Sequence, residues 1–504
     1  MTARRSRLPA ALYTAEQCRA LDKTAIESFG IPGYRLMQRA GHALWDALIE
    51  RWATVKSLTI LAGAGNNGGD GFVVAAKAKQ QGLDVQLLVM GSDTFADKLT
   101  GEAADAWLDM REQGVVAQPF TSESSLRGEV VVDALLGTGL SGEVRSDFAA
   151  AIGKINCSGL PVVAVDIPSG LCADTGRVLG CAVKADLTVT FIGLKRGLLT
   201  GQAPDYVGEL QFDDLRVPDE VYETQVVECN HFTERHLARL LPRRTRSAHK
   251  GSYGHVLVVG GCPGMGGAAI IAAEAAMRAG AGLVSLATDP MHLTAALSRN
   301  PALMVSGVRN GAELQSLIER ADVIVAGPGL GRGAWGEALL AAVLAADKPL
   351  VLDADAINLM VSKDWLAKHL DRNWVLTPHP GEAARIDGGC IASIENDRFA
   401  SVNRLQRKCS GTVLLKGAGT LVAGRNCWLS ASGNPGMATA GMGDLLSGII
   451  GALIAQGLDP ENAAICGAWL HGRAGDLAAK QVGEYSLQPT DLLQQIGLVI
   501  DGRQ

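Results

Sequence analysis

The chain contains 504 residues, of which 47% are hydrophobic, 19% charged and only 5% aromatic. Glycine accounts for 61 of them, roughly one residue in eight, against a usual share of roughly 7%. The net charge of −6 excludes a broad basic surface, so we expect no nucleic acid and no membrane among the partners. At roughly 100–200 residues per domain, this length indicates two to four domains with separate cores.

The ten cysteines are scattered along the chain, with no CxxC pair and no paired histidine spacing. This distribution argues against a zinc site and against a disulfide framework. We therefore expect reduced thiols and a cytoplasmic protein.

The first half of the chain alternates predicted helices and strands. Thr14 and Gln17 form the pattern of a capping box ahead of a helix that ends near Gly30. A second helix is predicted at 34–52 and a third at 72–81, and strands are predicted at 57–62, 85–90, 129–132, 161–165 and 187–191. Short apolar strands separated by helices predict a parallel sheet that is covered on both faces.

A polar stretch at 213–250 interrupts this pattern, which predicts a first domain at 1–225, a linker at 226–250 and a second domain at 251–504. The second domain restarts with predicted strands at 255–259 and 283–287, with a helix between them. Its later strands are predicted at 322–326, 349–352, 374–376 and 412–415. Residues 445–455 are an apolar stretch half as long as a membrane span, which predicts a buried helix.

Residues 63–71 form a predicted glycine loop that satisfies GxGxxG between a strand and a helix. The next strand does not end in the acidic residue that a dinucleotide site uses for the ribose, which argues against redox chemistry. Asn66, Asn67 and Asp70 instead indicate hydrogen bonds to a ligand and coordination of a cation. A tight glycine turn without a ligand is the alternative.

Two further predicted strand ends carry polar residues. Asp133 precedes a glycine loop, and Asp166 lies just before Ser169. Asn67, Asp133 and Ser169 supply oxygen donors that suit an alkali cation or calcium. Asp166 and Lys195 are a candidate acid/base pair, because burial and an opposite charge can tune both groups. A surface salt bridge is the alternative for Lys195.

In the second domain, residues 433–444 lead into the apolar helix, and Asp444 lies at its start. Free N–H groups at a helix N-terminus stabilise a transferring phosphoryl group, and an aspartate there can accept the proton of an attacking hydroxyl. The alternative role for Asp444 is that of an N-cap. Lys416 and the loop after it suit nucleotide phosphates, while His379 is either a ligand contact or structural.

These motifs carry a resemblance to two families. Residues 65–71, 133–139, 166–170 and 193–195 resemble the NAD(P)H-hydrate epimerase family. Residues 251–504 are similar to the ADP-dependent NAD(P)H-hydrate dehydratase family, through motifs at 255–261, 327–331, 377–382, 416–417 and 441–444. The resemblance implies a Rossmann-like doubly wound sheet followed by a ribokinase-like α/β/α domain.

The resemblance also implies an activity. The first domain would interconvert the R and S epimers of NADHX and NADPHX, the hydrated forms of the reduced nicotinamide cofactors. The second would dehydrate the S form back to NAD(P)H at the expense of ADP, giving AMP and phosphate. It also implies K⁺ in the first domain and Mg²⁺ in the second.

Site residues follow from the resemblance residue by residue. Catalytic residues would be Asp166, Lys195 and Asp444, and Asn67, Asp133 and Ser169 would hold K⁺. The hydrate would contact Asn66, Asn67, Gly68, Gly69, Asp70, Gly137, Thr138, Gly139, Leu140, Ser141, Gly142, Glu143 and Asp166 in the first domain, and Gly329, His379 and Asp444 in the second. The adenine nucleotide would contact Lys416, Gly417, Ala418, Gly419, Thr420 and Gly443.

Three other hypotheses remain open from the residues alone. The second domain has the chemistry of a ribokinase-like small-molecule kinase, fused to a noncatalytic nucleotide-binding domain. The first domain has the features of a ligand sensor without activity. A redox dehydrogenase is disfavoured because the ribose-binding acid is absent. A homo-oligomer is expected only by analogy with folds of this kind.

Overall fold

The computed structural model describes residues 8–91, 94–241, 244–369 and 373–502. The chain divides into two compact units, Met1–Cys229 and Asn230–Gln504, each of which has buried apolar clusters of its own. Within the described ranges, no helix is long and apolar enough to span a membrane.

The segment 226–250, predicted as a linker, contains regular structure. Cys229–His231 is a strand and Glu234–Leu240 is a helix, and Phe232 and Leu237 are buried in the apolar core of the second unit. Most of this segment therefore belongs to the folded second unit, because its apolar side chains pack in the core of that unit. Residues 242 and 243 of it lie outside the described residues.

The first unit contains one seven-stranded sheet in which all neighbouring strands are parallel. In spatial order the strands are Ala117–Pro119, Asp84–Val89, Ser57–Ala62, Val130–Ala134, Val162–Val165, Leu187–Phe191 and Glu209–Asp213. The helices are Ala15–Glu27, Gly33–Arg51, Asn66–Gln80, Gly101–Glu112, Ser146–Asn156 and Asp219–Tyr222.

Alternating side chains of the central strands pack into two separate apolar clusters. Leu58 and Ile60 contribute to the cluster that includes the first four helices, whereas Leu61 contributes to the one formed with the helix Ser146–Asn156. This two-residue period is that of a strand covered on both faces. The predicted doubly covered parallel sheet is confirmed, and so is the capping box of Thr14 and Gln17.

The glycine-rich segment differs from its prediction, because the helix begins at Asn66 rather than at Phe72. The predicted loop through Gly71 is therefore wrong beyond Gly65. A Cβ on Gly68 would lie 1.9 Å from the Gly63 carbonyl oxygen, and a Cβ on Gly69 would lie 2.6 Å from the Met37 side chain. These glycines allow a helix to pack closely against its neighbours.

Gly68→Ala is expected to lower the free energy of unfolding of the first unit by about 1–3 kcal/mol, because the added methyl group overlaps a backbone oxygen. Gly153→Ala is the matched control, since Gly153 also lies inside a helix but has open space around it. Alanine there is favoured by up to about 1 kcal/mol. Urea unfolding followed by circular dichroism measures both; a Gly68→Ala protein of unchanged stability would contradict the close packing.

The second unit contains a larger, mixed sheet. In spatial order its strands are Cys229–His231, Cys427–Ser430, Thr420–Ala423, Thr412–Leu415, Trp374–Leu376, Leu350–Leu352, Val323–Ala326, His255–Val259, Leu283–Thr288 and Met304–Gly307. The seven strands from Thr412–Leu415 onward are parallel, and Thr420–Ala423 is antiparallel to both of its neighbours.

Twelve helices surround this sheet in the part of the chain that is described. They are Glu234–Leu240, Gly266–Arg278, Leu293–Arg299, Gly311–Arg320, Ala334–Ala345, Ala354–Ser362, Pro380–Asp387, Ile391–Asn396, Arg398–Cys409, Met442–Ala455, Pro460–Val482 and Pro489–Ile500. Met442–Ala455 is buried along most of its length, which confirms the buried helix predicted at 445–455.

Candidate active sites

The first site lies where the strand order of the first unit reverses. Ser57–Ala62 and Val130–Ala134 are neighbours, but the strands that follow each of them continue in opposite directions across the sheet. In open parallel sheets such a switch point leaves a crevice beyond the carboxyl ends of the strands. A cleft with a volume of about 140 Å³ is found on this unit.

Five residues that the sequence singled out line this cleft: Asn66, Asp70, Thr138, Asp166 and Lys195. They come from a helix start, a loop and two strand ends that are far apart in the chain. The parallel sheet brings them together because its strands all end at the same edge.

Lys195 is buried and forms an ion pair with Asp166. Its Nζ also donates to the Thr190 hydroxyl at 3.1 Å and to the Phe191 carbonyl at 3.0 Å. The same Asp166 oxygen accepts from the Thr190 hydroxyl at 3.0 Å. The surface salt bridge considered for Lys195 is therefore wrong, since the pair is built into the end of the strand Leu187–Phe191.

Asp166 has a left-handed backbone, with φ of 64°. Aspartate is among the few residues other than glycine that adopt this conformation readily. Its backbone N–H donates to the Val189 carbonyl at 2.8 Å, which fixes the turn after the strand Val162–Val165. The turn directs the carboxylate toward Lys195 and into the cleft.

The cleft contains a positively charged lysine and several carboxyl groups that shift one another's pKa values. Burial disfavours the charge of Lys195, but Asp166 and the neighbouring acidic groups raise the pKa of its ammonium above the ordinary value. Burial raises the pKa of Asp70 well above its ordinary value, and Asp166 and Asp22 raise it further. The cleft therefore holds a charged lysine beside carboxyl groups of unequal acidity, which is an arrangement suited to proton transfer.

The helix Ala15–Glu27 forms a wall of the cleft that the sequence did not predict. Tyr13 pairs with the segment after Leu194, since its N–H donates to the Leu194 carbonyl at 2.9 Å and its carbonyl accepts from Arg196 at 3.0 Å. The helix that follows brings Cys18 and Asp22 to the cleft. Their spacing of four residues puts both on one helix face, which is the signal that could have indicated them.

The three proposed cation ligands lie behind the cleft wall. Asp133 and Ser169 are fully buried, and the Ser169 hydroxyl donates to Asp133 at 2.6 Å while its backbone N–H donates to the other carboxylate oxygen at 2.8 Å. Burial raises the pKa of Asp133 to about 6. Asn67 is also buried, its Nδ2 has no hydrogen-bond partner, and its side chain faces Gly137.

The other predicted hydrate-binding residues of the first unit have different positions. Gly68 and Gly69 pack against protein groups, as described above. Gly137, Thr138, Gly139, Leu140, Ser141, Gly142 and Glu143 belong to the loop between Val130–Ala134 and Ser146–Asn156, from which Thr138 lines the cleft. A contact of the remaining loop residues with the hydrate stays a prediction.

The second site lies at the carboxyl ends of three neighbouring parallel strands. Lys416 follows Thr412–Leu415, and its Nζ lies 2.9 Å from an Asp353 oxygen and 3.9 Å from a Glu382 oxygen. Both carboxylates are buried. Burial disfavours the charge of Lys416, but Asp353 and Glu382 raise the pKa of its ammonium above the ordinary value.

Asp444 lies in the first turn of the helix Met442–Ala455, three residues after the cap Gly441, whose φ is 92°. It is therefore not the N-cap. Burial and the nearby Asp353 raise the pKa of Asp444 to about 6, although Lys416 opposes the shift. A Cβ on Gly443 would lie 3.2 Å from the Lys416 Nζ, so this helix start packs directly against the lysine.

His379 is the N-cap of the helix Pro380–Asp387. Its Nδ1 accepts from the Gly381 N–H at 3.0 Å, and its own N–H donates to Glu382 at 2.9 Å. His379 thus has a structural role as a helix cap, while half of its side-chain surface remains exposed and its contact with the hydrate stays a prediction. Burial, Lys416 and Arg385 lower the pKa of His379 below its ordinary value.

Two glycines of this site are required by close contacts. Gly417 has φ of 143°, and a Cβ there would lie 2.7 Å from the guanidinium of the buried Arg398. This guanidinium donates to the Lys416 carbonyl at 3.1 Å and thereby fixes the loop that carries the lysine. Gly329 has φ of 58°, and a Cβ there would lie 2.4 Å from the Met265 carbonyl oxygen.

Five of the six predicted nucleotide residues, all except Gly443, form a hairpin connection. Residues 416–419 connect Thr412–Leu415 to the antiparallel strand Thr420–Ala423, and the Thr420 hydroxyl donates to the Gly417 carbonyl at 3.1 Å. The sequence did not select Asp353, Glu382 or Arg398. Two of them could have been found, because Asp353 directly follows the predicted strand 349–352 and Glu382 ends the loop after the predicted strand 374–376.

Comparison with known proteins identifies similarities over both units. A family model described as NAD(P)H-hydrate dehydratase matches residues 256–497, and one described as YjeF-related protein N-terminus matches 33–197. Proteins named bifunctional NAD(P)H-hydrate repair enzyme match from Coxiella burnetii, at 45% identity over 97% of this chain and 99% of that protein, and from Escherichia coli, at 41% over 98% and 95%.

Among solved structures, a ribokinase-like superfamily protein from Enterococcus faecalis is 31% identical, with a TM-score of 0.52. It covers 55% of this chain and 97% of its own. The predicted fold, with two α/β domains of which the second is ribokinase-like, is confirmed by this similarity together with the two sheets.

Proposed function

This chain belongs to the family of bifunctional NAD(P)H-hydrate repair enzymes, and we propose that its two units divide the two reactions of that repair between them. The first unit would epimerise the R and S forms of the hydrate. The second would dehydrate the S form to NAD(P)H at the expense of ADP. The observation that carries this proposal is that each unit has its own lysine–carboxylate ion pair at the carboxyl ends of its parallel strands.

In the first unit we assign the acid/base chemistry to Asp166 and Lys195. Both groups line the same cleft, and Lys195 is held charged beside its partner. A charged ammonium can donate a proton to the ring hydroxyl that leaves, and Asp166 keeps it oriented. Asn66, Asp70 and Thr138 line the same cleft and would bind the polar groups of the hydrate.

In the second unit, phosphoryl transfer from ADP to the ring hydroxyl would precede loss of phosphate. Asp444 would accept the hydroxyl proton, because it lies at a helix start and is ionised above pH 6. The free N–H groups of that helix and the charged Lys416 would stabilise the charge that develops on the phosphoryl group. The ring nitrogen then expels the phosphate.

The carboxylates of this site fit a magnesium ion that arrives with the nucleotide. Within the described ranges, no group of three His, Cys, Asp or Glu side chains is arranged to hold a metal ion. Mg²⁺ in nucleotide sites usually relies on phosphate oxygens, waters and one or two carboxylates. Asp353 would supply a protein ligand, and the ion would neutralise the phosphate charge, while Asp444 stays available to accept the proton.

The first unit fits a potassium ion. Asp133 is a buried carboxylate that forms no ion pair with any residue in the part of the chain described here, and Asn67 is a buried side chain whose amide oxygen lies close to Gly137. Carboxylate, hydroxyl and amide oxygens are hard donors that suit K⁺. Asn67, Asp133 and Ser169 would hold the ion and so fix the loop that starts at Gly137.

Replacement of K⁺ by tetramethylammonium is expected to lower the epimerase rate at least tenfold and to leave the dehydratase rate on the pure S epimer within twofold. The large cation cannot enter a site formed by buried side chains. Chromatographic separation of the epimers measures the first rate and absorbance at 340 nm the second. Equal epimerase rates in the two salts would remove K⁺ from the proposal.

The proposed function is tested with purified protein and a mixture of the two NADPHX epimers, in buffer with K⁺ and Mg²⁺. Full recovery of absorbance at 340 nm that requires ADP establishes both activities. Recovery that stops at the S fraction leaves the dehydratase alone. A stable phosphorylated product with ATP and hydroxymethyl substrates, without recovery, would instead favour the ribokinase-like kinase.

A further inference from the structure

Asp22 is an acidic group that the epimerase assignment above does not use. It lies on the helix Ala15–Glu27 and lines the same cleft as Asp166 and Lys195. Its side chain remains exposed to the cleft, and no hydrogen bond or ion pair to it is found among the described residues. A free carboxylate at the mouth of a catalytic cleft is available to a substrate.

The position of this helix is fixed by contacts with the lysine segment. A Cβ on Gly193 would lie 2.7 Å from the Cys18 sulfur, and the Cys18 thiol donates to the Gly193 carbonyl at 3.5 Å. The N–H of Ala15 donates to the Asp174 carboxylate at 2.7 Å. Asp22, one turn after Cys18, is therefore held over the cleft by a rigid element.

The chemistry of epimerisation requires a second proton-transferring group. One hydroxyl leaves the ring carbon from one face, and a water must attack the same carbon from the other face. A single acid/base pair on one wall serves only one of these faces. The pair Asp166–Lys195 comes from strand ends, whereas Asp22 comes from a helix, so they approach the cleft from different elements.

We propose that Asp22 is the second acid/base residue of the epimerase and accepts the proton of the attacking water. This inference rests on the proposed epimerase function. Lys195 donates a proton to the ring hydroxyl, the C–O bond breaks, and its electron pair leaves with the water that forms. The lone pair of the ring nitrogen forms a C=N bond to the same carbon.

A second water then adds to the opposite face of that carbon. The new C–O bond forms, the nitrogen regains its electron pair, and the attacking water loses a proton to Asp22. The net change in the protein is one proton moved from Lys195 to Asp22. Proton exchange with solvent water then recharges both groups before the next turnover, so no further reactant is needed.

The surroundings of Asp22 support this role. Burial by the cleft walls raises the pKa of Asp22 to about 6; Lys195 opposes the shift and Asp166 adds to it. Asp70, Glu102 and the thiol of Cys18 are the other titratable groups that line the cleft. Asp22 is thus ionised above pH 6, and the wild-type kcat/KM should fall as pH decreases below 6.

The test compares Asp22→Asn with Glu27→Gln, an exposed control on the same helix whose charge faces Lys23 instead of the cleft. Epimerisation of the pure R form is followed by chromatography without ADP, between pH 5 and pH 8. We expect Asp22→Asn to reduce kcat about 10²-fold and to abolish the inflection near pH 6, and Glu27→Gln to retain both.

The Tm of each variant shows whether the first unit has folded, and the dehydratase rate, which belongs to the other unit, serves as an internal control for protein concentration. Asp22→Asn with kcat within threefold of wild type, or with the pH inflection retained, would overturn the role of Asp22 but leave the epimerase assignment intact. Absence of epimerase activity in the wild-type protein would overturn both.

Discussion

Asp444→Asn is expected to reduce the dehydratase kcat by about 10²–10⁴-fold, because the variant lacks the group that accepts the proton of the ring hydroxyl. The wild-type rate should fall below pH 6, where Asp444 becomes protonated, and the variant should lack this inflection. Initial rates on the pure S epimer with ADP, from pH 5 to pH 8, measure both effects.

The stability of the same variant separates loss of chemistry from loss of structure. The folded pKa of Asp444, about 6, lies above its unfolded value, so its ionised form destabilises the fold at pH 7. Removal of the charge beside Asp353 and Glu382 should therefore raise the free energy of unfolding at pH 7 by up to about 2 kcal/mol, and Tm with it. At pH 4 the same substitution should have little effect. A variant that is both inactive and less stable at pH 7 would contradict this assignment.

Lys195→Met is expected to reduce epimerisation about 10²–10⁴-fold, since the proton donor is lost. It should also lower the free energy of unfolding of the first unit by about 2–4 kcal/mol, because the nearly buried Asp166 would lose its only ion-pair partner within the described residues. Epimer chromatography and chemical denaturation measure the two effects.

A double variant, Lys195→Met with Asp166→Asn, distinguishes the two roles of the lysine. It removes the unpaired charge and should recover most of the stability but none of the epimerase activity. The dehydratase rate serves as an internal control, because Lys416 and its partners belong to a unit with a separate core. Recovery of epimerisation in the double variant would assign the chemistry to other groups.

The sequence predicted strands and their polar ends well, because both depend on local pattern. The strand predicted at 255–259 has the observed bounds His255–Val259, and Asp166 and Lys195 could be paired in advance from their positions after strands. The start of the helix at Asn66 could not be predicted, since glycines that permit close packing look the same in sequence as glycines that form a loop.

The residues that pair with the predicted site residues could not be predicted from the sequence either. Lys416 is held by Asp353 and Glu382, which are 63 and 34 positions away in the chain and meet it only because three parallel strands end side by side. Asp22 reaches the first site because Tyr13 pairs with the segment after Leu194. Contacts of this length are set by topology, which local periodicity does not specify.

The left-handed backbone at Asp166 restricts which side chains can be placed in the first site. Glutamate keeps the charge, but it has no ready access to this conformation and would move its carboxyl group away from Lys195. Asparagine keeps the backbone and the shape while removing the charge. In mutational libraries of this protein, asparagine and glycine should therefore be the substitutions at position 166 that keep this backbone conformation, but both leave the buried Lys195 without its ion-pair partner and should lower stability.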